Sequence, residues 1–179
     1  MTATLDNPIQ ALSEYVSYPS VSADSSFSDG ISGAREFATQ RLQDLGFSVE
    51  TIKTPIHPVL LGKRGDPSWP RLVIYGHYDV QPPDPLDLWS SEPFVAIERE
   101  GRLYGRGAAD NKGPQIVHMC ALHRALKKNP NLPLHIIYLI EGEEEIGSPS
   151  FRPFLEARKE QLAGDLSLIH ISEPTRPYL

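Results

Sequence analysis

Three short clusters in this chain combine residue types that handle protons and cations. They are Gly76-His77-Tyr78-Asp79, the Gly-rich run Gly105 to Gly113 (GRGAADNKG) and the acidic run Glu141 to Ser148 (EGEEEIGS). Imidazole and carboxylate groups ligate hard or borderline divalent cations, so His77, Asp110 and Glu145 are candidate metal ligands. Glu144, a carboxylate beside a ligand, is free to take a proton from metal-activated water and return it to a leaving amine. Together the clusters point to a two-metal hydrolase site. Taken singly, each has a plainer reading: a His after a strand is more often a hydrogen-bonded loop residue, and an acidic run is usually a solvated loop or a helix start favoured by the helix dipole. Their combination and order carry the metal reading.

The elements expected around these clusters place them at strand ends. Asn7-Pro8 opens a helix to about Ser17, and a second amphipathic helix runs from about Ser32 to Leu45, stopped by Gly46. Strands are expected at Phe47 to Ile52 and Val59 to Gly62. Leu72 to Tyr75 and Leu134 to Ile140 are continuous apolar runs of the kind buried on both faces of a sheet. A hairpin turns near Glu100-Gly101, a third helix covers Gly113 to Lys128, and a last one covers Ser150 to Leu162. This order implies an α/β fold, a mixed sheet flanked by helices in three layers, with ligands gathering where strands end. His77 follows one buried strand, and Glu144 and Glu145 follow the other. Asp79, two residues on from His77, projects from the same face of extended backbone and can orient the imidazole.

Composition narrows the class. A chain of 179 residues, 40% hydrophobic and 22% charged, can bury one core. The net charge of −6, without a Lys/Arg stripe, argues against nucleic acid as a partner. No stretch approaches the roughly 18 apolar residues of a membrane span. Cys120 is the single cysteine, which excludes an internal disulfide and fits a reducing compartment; a cytoplasmic location is expected.

At GHYDVQP, Trp89 to Phe94, LYGRGAADNKGP and EGEEEIGS, the chain resembles the aminoacylase/carboxypeptidase G/carnosinase family of co-catalytic zinc metallopeptidases, most of all its cytosolic dipeptidase branch, over about Asn7 to Asp165. The resemblance implies that His77 binds one of two divalent ions, Asp110 bridges both and Glu145 binds the second. It further implies that Asp79 supports His77, Glu144 is the general base, and the peptide bond between Asp110 and Asn111 is cis. The implied ions are Zn2+, with Mn2+ or Co2+ as alternatives. The implied substrate is a dipeptide or short peptide, and the implied full-length parent is a homodimer through an inserted domain. An N-acyl amino acid deacylase is the nearest alternative within that chemistry. Asn111 stands where many relatives carry a second Asp.

The family pattern calls for a further carboxylate ligand shortly beyond Asp165 and a later His. Leu166 to Arg176 (LSLIHISEPTR) instead resembles the translation of an adapter used in preparing sequencing libraries. Residues 1–165 are therefore expected to be the N-terminal part of a metallopeptidase catalytic domain, and 166–179 an artefactual tail from which His170 is not recruited as a ligand. As it stands, the chain is then expected to be a metal-binding fragment without turnover.

Overall fold

The computed structural model describes residues 4–168. Helix α1 (Pro8–Val16) begins as expected, with the Asn7 side chain accepting from the Gln10 N–H and proline in the first turn. Helix α2 (Ser28–Asp44) starts a turn earlier than the sequence pattern suggests. Its early glycines look like breakers but mark close packing. A β-carbon at Gly30 would lie 2.2 Å from the Pro19 carbonyl oxygen, and one at Gly33 would lie 2.4 Å from the Tyr18 ring.

Strands β1 (Ser48–Ile52), β2 (Val59–Arg64) and β3 (Arg71–His77) follow. A short hairpin of β4 (Ile97–Arg99) and β5 (Arg102–Tyr104) turns through Glu100 and Gly101, both at positive φ, as a two-residue loop of this type requires. Helix α3 (Lys112–Lys128) leads to strand β6 (His135–Glu141). The expected helix over 150–162 is two shorter ones, α4 (Phe151–Ala157) and α5 (Lys159–Leu162). They part at Arg158, which leaves helical dihedrals with its guanidinium 4.8 Å above the Phe154 ring. Leu166–Leu168 forms β7; the rest of the segment expected to be a tail, including His170, lies outside the described residues.

The main sheet runs β1-β2-β6-β3-β7, antiparallel on the β1 and β2 side and parallel among β6, β3 and β7, so it is mixed. Strand β6 is buried along its whole length. On one face Ile136, Tyr138 and Ile140 join Ala11 and Tyr15 of α1, Phe37 and Leu42 of α2, and Ile116 and Met119 of α3. On the other, Ile137 and Leu139 pack with Val59, Leu61 and Phe154, with Phe151 and Leu162 at the margin. Helices on both faces make the three layers. Strand β3 departs from the expectation of burial on both sides: Leu72 and Ile74 are buried, but Val73 and Tyr75 are half-buried, because short α4 and α5 cover that face thinly. Among the described residues no helix is long and apolar enough to cross a membrane.

Candidate metal centre

Parallel pairing of β3 with β6 sets His77 opposite Glu141, so two clusters far apart in sequence reach the same carboxyl edge of the sheet. The third arrives at the N-terminus of α3, which Asp110 precedes. His77, Asp110 and Glu145 each offer one ligand atom, and these atoms lie within 4.8 Å of one another. Glu144 turns the same way, its Oε2 3.9 Å from His77 Nε2. The Asp110–Asn111 peptide bond is cis, as the resemblance implies.

His77 is buried and its ring is fixed from both sides. Nδ1 lies 3.1 Å from the Asp79 carbonyl oxygen and 3.4 Å from the Asp79 carboxylate, while Nε2 faces Asp110 Oδ1 at 3.0 Å. With Nδ1–H donated toward Asp79, Nε2 is the nitrogen presented to the carboxylate cluster. Burial by itself lowers the imidazole, but the hydrogen bonds to Asp110 and Asp79 and the charges of Asp79 and Glu144 outweigh it and hold it at about 10. The main chain of His77 is clamped as well: its N–H donates to Asn111 Oδ1 at 3.3 Å, and its carbonyl accepts from Gln115 Nε2. Asn111 is thus a buried acceptor that seats the end of β3 against α3.

Asp79 does more than orient the imidazole. Its Oδ2 accepts from Ser22 Oγ at 2.7 Å and from the backbone N–H of Glu145 at 3.0 Å, so one buried carboxylate holds both the His77 ring and the main chain of Glu145. Burial and the charges of Asp110 and Glu144 raise the Glu145 carboxyl, while Gln81 and His77 oppose them.

The acidic run divides its labour in a way the sequence did not disclose. Glu141 and Glu143 are buried, while Glu144 and Glu145 occupy a single 3-10 turn (Glu144–Ile146). Glu141 accepts from Tyr75 OH at 2.7 Å and Ser148 Oγ at 2.9 Å, and its burial pushes the carboxyl up to about 7 against those two hydrogen bonds. Glu143 accepts from Thr54 Oγ1, His57 N–H and Ser150 N–H. Burial would raise its carboxyl, yet these donors outweigh it and hold it low. His57 helps to anchor this turn through its backbone N–H. The buried Lys112 was also missed: its Nζ donates to the Tyr15 and Tyr18 carbonyl oxygens, pinning the start of α3 to the end of α1, and burial pulls its ammonium down to about 7 against the charge of Asp79. A buried ammonium paired with two main-chain carbonyls, at the first residue of a helix, left no periodic signal.

The donor set fits divalent cations. One imidazole and two carboxylates converge, further carboxylates bear on the same ring, and their combined field is strong enough to hold a proton on a buried histidine.

Similar proteins carry this architecture. Beta-Ala-His dipeptidase of Homo sapiens is 35% identical over 182 residues, covering 94% of this chain and 36% of that protein. Cys-Gly metallodipeptidase dug1 of Schizosaccharomyces pombe is 32% identical over 180 residues, covering 94% and 38%. Among solved structures, the M20 family metallo-carboxypeptidase Sso-CP2 from Sulfolobus solfataricus superimposes with a TM-score of 0.83 at 34% identity, over 92% of this chain and 37% of that one. The chain spans little more than a third of the length of these relatives. The sequence pattern of Peptidase family M20/M25/M40 matches residues 73–178, a span that holds His77, Asp79, Asp110, Glu144 and Glu145, and the chain belongs to that family.

Proposed function

We propose that this chain is part of the catalytic unit of a dipeptidase that hydrolyses the amide bond of dipeptides or short peptides in the cytoplasm, and that its whole form is a homodimer. The observation that carries this reading is the convergence of ligand atoms from His77, Asp110 and Glu145 at one sheet edge. Names of relatives that include Beta-Ala-His and Cys-Gly dipeptidases support the substrate class.

In this reading His77 and Asp110 hold one divalent ion and Asp110 and Glu145 a second, zinc being the expected metal. Bound there, the ions supply Lewis acidity that polarises the amide carbonyl and lowers the pKa of water. Asp79 keeps Nδ1 of His77 protonated and so keeps Nε2 turned to the site. Glu144 is held by its turn at the rim, with a side chain 39% exposed, where it can accept a proton from the attacking water and deliver it to the departing amine. Its neighbour Glu145 is fixed by Asp79 and Gln81, which leaves Glu144 as the carboxylate that moves protons.

The test is turnover of a dipeptide panel, with N-acyl amino acids beside it, by a chain completed to the length of its relatives and supplied with zinc or manganese. Glu144→Gln is expected to lower the rate by roughly 100- to 10,000-fold while metal binding stays intact. Metal-independent turnover, or turnover that survives the substitution, refutes the reading; faster cleavage of N-acyl amino acids moves the substrate to that class.

A further inference from the structure

The extended segment after β3 alternates. Tyr78 and Val80 are fully buried on one side, which leaves His77, Asp79 and Gln81 on the other. His77 and Asp79 belong to the metal site by the arguments above, and the third member of the row reaches it too. Gln81 Nε2 donates to Glu145 Oε2 at 2.7 Å and to the Glu145 carbonyl oxygen at 3.0 Å. Because an amide nitrogen has two hydrogens, both bonds can form at once. Glu145 is therefore held at its N–H by Asp79, and at its carbonyl and one carboxylate oxygen by Gln81.

We propose that Gln81 is a positioning residue that commits Glu145 to ligation through a single oxygen, Oε1, and thereby favours a small ion of low coordination number over one that takes a bidentate carboxylate. This rests on the reading of His77, Asp110 and Glu145 as ligands. The physical ground is competition for lone pairs. Oε2 carries a charge-assisted hydrogen bond from a donor that is itself anchored to the same residue's backbone, so bidentate ligation requires that bond to stretch or break. Zinc accepts four ligands at about 2.0–2.2 Å, whereas larger ions take more oxygens and tolerate chelating carboxylates. Hydrogen bonds to ligating carboxylates tune affinity in the same manner as those to ligating histidines.

The experiment titrates this chain with Zn2+, Mn2+ and Co2+ against a chromophoric chelator, and records the visible ligand-field spectrum of the Co2+ form, for wild type, Gln81→Met and Gln81→Ala. Gln81 is exposed, so the metal-free unfolding midpoint should not change. Methionine keeps the shape and removes both donors. We expect Zn2+ affinity to fall by roughly 10- to 100-fold, Mn2+ affinity to fall less, and the Co2+ bands to weaken as the carboxylate becomes bidentate and the coordination number rises. Wild-type affinities and spectra in both variants overturn the proposal. So does a lowered metal-free midpoint with an unaltered Co2+ spectrum, which makes the role structural. His77→Ala and Glu145→Ala separate the two levels of argument: if they bind metal as wild type does, the ligand assignment falls and this proposal with it; if they lose metal while Gln81→Met does not, only this proposal falls.

Discussion

If His77 is a metal ligand as proposed, a proton and a cation compete there for the same nitrogen. The ring sits at about 10 because Asp110, Asp79 and Glu144 outweigh the burial that lowers it, so at neutral pH the metal-free chain carries an imidazolium there. A ligand must be neutral, so each metal-binding event at His77 displaces that proton. The sign follows: affinity rises with pH, by up to about tenfold per unit from neutrality toward pH 10, and flattens above it where the ring is already neutral. Titration calorimetry at pH 7 in two buffers of different ionisation enthalpy should show close to one proton released from this residue. No difference between buffers would mean that Nε2 is not the ligand. Of the side chains at this site, those legible in the sequence were the ones whose type announces their chemistry: His77, Asp79, Asp110, Glu144 and Glu145. Gln81, Ser22 and Asn111 are neutral side chains making hydrogen bonds that any residue of those types can make, and their partners lie 34 to 64 positions away. Period-two alternation continued past the end of β3 would have singled out Gln81.

Among the elements, the turn after β6 holds the site most directly, and it is built from main chain packed on aromatic side chain. Gly142 follows Glu141 at the strand end, where a β-carbon would lie 2.2 Å from Tyr78 Cζ and 2.3 Å from its hydroxyl oxygen. The Tyr78 ring cannot yield easily, because it is fully buried and its hydroxyl donates to the Pro58 carbonyl at 2.7 Å. Gly142→Ala should therefore push the turn outward, costing about 1–3 kcal/mol by the usual scale of overpacking, and should weaken metal binding because Glu144 and Glu145 ride on the displaced segment. Chemical denaturation with a parallel metal titration checks both, and a variant with wild-type stability and affinity would show that the turn is softer than its packing implies. The elements also show where sequence patterns carry and where they stop. The apolar run of β6 and the Glu100-Gly101 hairpin were legible because burial on two faces and positive φ each leave a local signature. The early start of α2 was not, since Gly30 and Gly33 look the same whether they break a helix or admit Pro19 and Tyr18 to its surface. Nor was the thin cover over Val73 and Tyr75, which depends on where α4 and α5 come to rest.

For the whole molecule, the proposed metal centre is a junction of three segments: the end of β3, the residue before α3 and the turn after β6. Without a cation, the carboxylates of this junction repel one another in a chain that is already net negative, so part of the sheet's stability is set against their mutual field. Ions held by groups that together span all three segments bind the folded chain and not the unfolded one, so they must raise the stability of the sheet as a unit. At free metal a hundredfold above the dissociation constant the gain is about 2.7 kcal/mol, which for a domain of this size is a rise in unfolding midpoint of about 5 to 11 °C. Differential scanning calorimetry with zinc, then with a chelator in excess, should show the midpoint climb and return. Asp110→Ala should abolish the climb, since it removes the carboxylate nearest His77 Nε2 and the one group assigned to both ions. Its own metal-free midpoint should fall modestly at neutral pH, because Asp110 is a partner of the buried His77 imidazolium, so the climb is read against the variant's own metal-free baseline. A metal-dependent rise that survives Asp110→Ala would place the stabilising ion elsewhere in the molecule, and the junction would have to be read as an acidic sheet edge that binds no ion.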